Sequence, residues 1–120
     1  MIERYSRPEM TAIWSPENRF AIWWRIEVFA AEAMGRVGMI PADDAAKIRA
    51  AYDSGALGEI DVAAIDAIEA VTRHDVIAFL TWAGDKLGPE KRWLHQGMTS
   101  SDVLDTALAV QLKQAADILL

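Results

Sequence analysis

The sequence predicts an all-α protein, and three observations carry that expectation. Apolar residues recur at spacings of three and four along most of the chain, as in Val62, Ile65, Ile68 and Val71. No stretch shows the strict alternation of apolar and polar residues that a half-buried strand requires. Serine, threonine, aspartate, proline and glycine stand where helices must start and stop.

Taken in order, residues 1–14 lack periodicity and read as an extended arm. SPEN at 15–18 is a helix start, with Ser15 as N-cap, Pro16 at the first helical position and Glu17 at the positive end of the dipole. That helix carries Phe20, Trp23, Trp24, Ile26, Phe29 and Met34, and Gly35 and Gly38 offer a stop. A second helix is expected from about Pro41 to Asp53, closed by Ser54-Gly55, and a third from near Asp61. In TRHDV at 72–76, Thr72 and Asp75 have capping-box spacing, so one helix can end here and another begin, running to Gly84 or Gly88. Pro89 ends that helix. The last, and the longest apolar one, begins after HQGMTSSD, with a stripe of Leu104, Leu108, Leu112 and Leu119 widened by Val103, Ala107 and Val110. A face that broad suits the inside of a helical bundle or an oligomer core. The final residues, Asp117 to Leu120, carry no stop signal, so the chain is expected to be cut within a helix, as the N-terminal piece of something larger.

Composition bounds the function. The chain has 120 residues, 52% hydrophobic and 25% charged, which is ordinary globular composition and enough for one domain. With no cysteine, a disulfide scaffold, a thiolate nucleophile and a Cys-type zinc site are excluded. A net charge of −6 argues against a nucleic-acid partner, because that affinity rests on Lys and Arg neutralising phosphates. MIERYSRPEM places charge and proline where a signal peptide would be apolar, and runs such as FAIWW are too short for a membrane span. No membrane partner is expected, and the chain reads as cytoplasmic.

Three stretches could carry chemistry. HQGMTSSD has a bland reading, a loop glycine followed by a Ser/Thr N-cap with Asp102 in the first turn. Its functional reading is an anion site. A helix N-terminus presents free N–H groups, the hydroxyls of Thr99 and Ser100 add donors, Gly97 lets backbone approach a ligand, and a protonated His95 adds charge. TRHDV sets a cation, an imidazole and a carboxylate side by side in Arg73, His74 and Asp75, although a histidine in an apolar stretch is more often structural. Arg4 and Tyr5 mean little alone. The two histidines, at 74 and 95 with no third ligand patterned nearby, make a poor metal site, so no metal is assigned. No Gly-rich phosphate loop, Ser-His-Asp order or nucleophile elbow is present.

MIERYSRPEM, TRHDV and HQGMTSSDVLDTA, in this order, resemble the adenylosuccinate lyase family of the fumarase/aspartase superfamily. The resemblance covers essentially the whole chain; Gln96 departs from it, where an aromatic residue is expected. It implies a small helical N-terminal domain over 1–98 and the start of a central helical-bundle domain over 99–120. It also implies elimination of fumarate from adenylosuccinate, leaving AMP, and from succinyl-aminoimidazole-carboxamide ribotide in purine synthesis, with no cofactor. A base takes a proton from the succinyl carbon beside the departing C–N bond, the carbanion is held as an aci-carboxylate, and an acid protonates the leaving nitrogen.

Carried over by motif, Arg4 and Tyr5 would contact the nucleotide near its phosphate. Arg73, His74 and Asp75 would line the site, with His74 near the succinyl group and able to orient the acid. His95 would help bind phosphate, and Thr99 and Ser100 would hold a succinyl carboxylate. The family's principal acid and base would lie beyond Leu120, its sites are assembled from three subunits of a homotetramer, and the 120 residues alone would be inactive. Two alternatives stand beside this: another fumarate-releasing lyase of the superfamily, and a helical interaction module whose tryptophans and leucines bind a partner.

Overall fold

The computed structural model describes residues 2–120. Six helices follow one another: α1 (Pro8–Ile13), α2 (Pro16–Arg36), α3 (Ala42–Asp53), α4 (Val62–Thr72), α5 (Asp75–Gly84) and α6 (Ser100–Leu119). Short 3-10 turns cover Glu3–Tyr5 and Pro89–Trp93, and no strand occurs among the described residues. The chain is therefore all-α, as its periodicity requires.

Helix α2 is the element against which the others are placed. It starts where SPEN demands, with Ser15 Oγ accepting from the Asn18 N–H at 3.2 Å and Pro16 supplying no donor to satisfy. Its buried stripe, Phe20, Trp23, Trp24, Val28 and Ala31, packs on α3 and α6 and meets α5 through rings. Phe20 stacks on Phe79 of α5 at 5.5 Å between centroids, and Trp23 meets the edge of both, at 5.0 Å and 5.7 Å. Each such pair contributes about 0.5–1.5 kcal/mol beyond burial.

Three local expectations need correction. Of the expected arm over 1–14, Met1 lies outside the described residues, and the rest is not extended, because Pro8 at the first helical position nucleates α1. Six residues are too few to show a period, and tertiary contacts hold the helix: Gln111 Nε2 of α6 donates to the Ile13 carbonyl at 3.0 Å. Gly35 is not a stop but lies inside α2, where a Cβ would come within 2.6 Å of the Ala45 Cβ; it is what lets α3 approach. Gly38, at φ +78°, then makes the turn. Finally, Thr72 does not cap α5. The N-cap is His74, and Thr72 is the last residue of α4.

The α6 stripe also divides differently. Val103, Ala107, Gln111 and Ala115 form the buried seam against α1 and α2, whereas Leu108, Leu112 and Leu119 remain exposed. Phe79 is fully buried at the junction of α2 and α5. Replacing it by alanine should destabilise the chain by about 3–5 kcal/mol in urea denaturation, and a loss under about 1 kcal/mol would contradict this packing.

Candidate functional site

The nominated residues fall at helix ends. Between α4 and α5 only Arg73 and His74 are non-helical. Arg73 closes α4 in the left-handed region, at φ 55° and ψ 29°, with its N–H on the Glu69 carbonyl at 2.8 Å. Thr72 Oγ1 clasps the joint, donating to the His74 carbonyl at 3.2 Å and accepting from the His74 N–H at 3.4 Å. Arg73 is exposed, and its guanidinium makes no ion pair among the described residues.

His74 caps α5 with its ring. Nδ1 accepts from the Ile77 N–H at 3.1 Å, so in the neutral imidazole the proton lies on Nε2, which is then a free donor. Asp75 Oδ1 accepts from the Val76 N–H at 2.8 Å and lies 3.8 Å from His74 Nδ1. His74 is half exposed, and its Nε2 has no partner among the described residues.

The second end is the N-terminus of α6. Thr99 is the N-cap, and its N–H donates to Asp102 Oδ2 at 2.9 Å, the capping-box bond. The N–H groups and hydroxyls of Ser100 and Ser101 find no partner among the described residues. One residue caps the helix and two hydroxyls are left over at its positive end. Ahead of them, His95 and Gly97 adopt φ 60° and φ 67°. Open space surrounds Gly97, so its backbone conformation, not crowding, calls for glycine.

His95 is not a free surface ligand. Its N–H donates to Glu27 Oε2 at 2.9 Å, and its Nδ1 lies 2.7 Å from Glu27 Oε1. Glu27, on α2, is 1% exposed. Burial pushes its carboxyl above the ordinary 4.5, while the hydrogen bonds and charge of His95 pull it down. Sequence reasoning missed Glu27. The signal was its register: Phe20, Trp23, Trp24 and Ala31 set a stripe in which position 27 should be apolar, yet it holds a carboxylate.

The third stretch lies elsewhere. Arg4 stacks over the Tyr5 ring at 4.7 Å, and Tyr5 lines a cavity of about 440 Å³ together with Ile118 and Leu119. Ser100 is at the other end of α6, roughly 27 Å away along a helix rising 1.5 Å per residue. No hydrogen bond or ion pair among the described residues joins Arg4 and Tyr5, the Arg73-His74-Asp75 joint and the α6 tip.

The architecture matches solved helical enzymes. A fumarate lyase from Mesorhizobium sp. BNC1 superposes with a TM-score of 0.79 at 25% identity, over 91% of this chain and 26% of that one. A β-carboxy-cis,cis-muconate cycloisomerase from Acinetobacter calcoaceticus sp. ADP1 gives 0.82 at 28% identity, over 93% and 27%. The fold is thus that of the fumarate lyase group of helical enzymes. The chain belongs to the Lyase_1 family of lyases, whose pattern matches residues 3–120. It is 50% identical to the adenylosuccinate lyase of Bacillus subtilis over its whole length, and 47% identical to that of Staphylococcus saprophyticus over 99% of it. It spans about a quarter, 26%, of the length of either relative.

Two outcomes follow from this geometry. Arg73→Gly relieves the left-handed strain but adds chain entropy, so stability should hold or rise by up to about 1 kcal/mol; a loss beyond that would show that the side chain supports the joint. Glu27, raised in the fold, contributes stability that is full below its unfolded value of 4.5 and is lost as pH rises through the folded value. The unfolding free energy of wild type minus Glu27→Gln should therefore fall with rising pH in denaturant titrations, and a flat difference would contradict the raised carboxyl.

Proposed function

We propose that the whole protein to which this chain contributes is an adenylosuccinate lyase, releasing fumarate from adenylosuccinate and from succinyl-aminoimidazole-carboxamide ribotide by general acid–base β-elimination. The observation that carries this reading is the 50% identity to a relative of that name, sustained across the entire chain. The geometry adds chemical sense. Elimination needs the departing dicarboxylate held while charge develops on it, and a polarised helix end with two unengaged hydroxyls is suited to that.

The roles follow residue by residue. Thr99 and Ser100 hold a succinyl carboxylate. Arg73 supplies positive charge and Asp75 completes the joint. His74, whose Nδ1 is committed to capping α5, offers Nε2–H as a donor. A ring in that state cannot take the substrate proton through Nε2, which supports its role in orienting the acid rather than serving as the base. His95 meets the phosphate, and Arg4 and Tyr5 contact the nucleotide. The principal acid and base come from outside this chain, in the central helical bundle that starts near residue 99.

Tyr5 lies against Ile118 and Leu119, roughly 27 Å along α6 from Ser100, which favours a site completed by other subunits, in a homotetramer. The exposed Leu108, Leu112 and Leu119 on α6 suit burial against further helices in that assembly.

A fumarate-release assay tests the reading. The whole protein should turn over adenylosuccinate and not argininosuccinate, while the 120 residues alone should turn over neither; preference for argininosuccinate would overturn the substrate assignment. In the whole protein, Ser100→Ala should lower turnover with a stability change of about 1 kcal/mol or less, since Thr99 keeps the cap. His74→Gln should reduce turnover far more than stability, and unchanged kinetics would remove it from the site.

A further inference from the structure

The Glu27–His95 pair is a second feature of the site with a distinct consequence. A carboxyl at 1% exposure makes two contacts with one residue: it accepts from the backbone N–H (2.9 Å) and shares a hydrogen bond with ring Nδ1 (2.7 Å). That residue holds a positive φ, 60°, without being glycine. Among the described residues only Arg73 shares that condition. Conformations of this kind persist only where surroundings over-determine them, and Glu27 is the group that does so here.

We propose that Glu27 is a positioning residue: it pins His95 in the left-handed turn ahead of α6 and presents the ring's Nε2–H as a donor to a phosphate monoester. The inference rests on the reading of His95 as a phosphate contact. The proton accounting supports it. One proton lies between Glu27 Oε1 and His95 Nδ1. On oxygen, it leaves a neutral ring whose hydrogen is on Nε2; on Nδ1, Nε2 carries hydrogen in the imidazolium and is bare in the neutral ring. Removing a proton from the pair would bare Nε2 and leave an uncompensated negative charge in the core, which burial disfavours. The buried carboxyl thereby keeps the second ring nitrogen a donor, the polarity a phosphate oxygen requires.

The variants separate positioning from charge. Glutamine can accept from the His95 N–H and donate to Nδ1, preserving Nε2–H with no carboxylate. Leucine can do neither. Calorimetric titration of the whole protein with AMP and with adenosine reads the phosphate contribution. Glu27→Leu should weaken AMP by about tenfold or more with adenosine unchanged, whereas Glu27→Gln should keep AMP affinity within about threefold. Equal loss in both variants would overturn the positioning role, as would full AMP affinity in Glu27→Leu.

His95→Ala separates the two layers of the argument. If it too leaves AMP unaffected, the phosphate reading of His95 fails and the proposal falls with it. If His95→Ala loses AMP while Glu27→Leu does not, only the role of Glu27 is overturned. Should Glu27→Leu not fold, histidine-selective nitrogen-15 spectra of the wild-type protein decide. His95 Nε2 should carry hydrogen and respond to AMP but not to adenosine, and a bare Nε2 would overturn the proposal.

Discussion

The carboxylate of Glu27 is placed where α2 should present an apolar side chain, and the loop before α6 is organised around it. Both of its oxygens are taken by His95, one by the main chain and one by the ring. That contact joins the middle of the longest helix to the turn that aims α6, across 68 residues of sequence. The N-terminus of α6, with its unengaged serines, is therefore fixed by a buried hydrogen-bonded contact rather than by a loop free to drift. A buried carboxylate without such partners would be strongly destabilising, so the fold and the turn depend on each other.

The same logic recurs at the α4–α5 joint. Arg73 takes a left-handed conformation that glycine would adopt without strain, and His74 uses a ring nitrogen where serine or aspartate would cap equally well. A chain selected for stability alone has simpler choices at both positions. Strain and an unusual cap coincide on adjacent residues whose remaining functional groups face outward. Thr72, whose hydroxyl bonds both backbone groups of His74, keeps that geometry in place.

Much of this was legible in the residues themselves. Ser15-Pro16, Asp61 and the Ser54-Gly55 stop fell where the helices begin and end, because caps act through neighbours in sequence. The arm was misread because α1 is held by Gln111, almost a hundred positions away, and not by its own periodicity. The leucine stripe of α6 pointed to a bundle but not to which face the first helices cover, since Val103 and Ala107 form the inner seam and larger leucines lie outside. TRHDV and HQGMTSSD marked the two helix ends correctly. Glu27 escaped notice because its meaning depends on a partner distant in sequence.

The central claim is that the serine-bearing tip of α6, aimed by Glu27 through His95, is where the dicarboxylate is gripped. Tyr5 lies beside the far end of the same helix, so under this proposal it serves a different site from Ser100 of its own chain. A crystal structure of the whole protein with fumarate and AMP bound tests this most directly. The account predicts a fumarate carboxylate within hydrogen-bond reach of Thr99 and Ser100, the AMP phosphate beside His95, and Arg4 and Tyr5 contributed by another subunit. Fumarate bound away from a solvated α6 tip would contradict it.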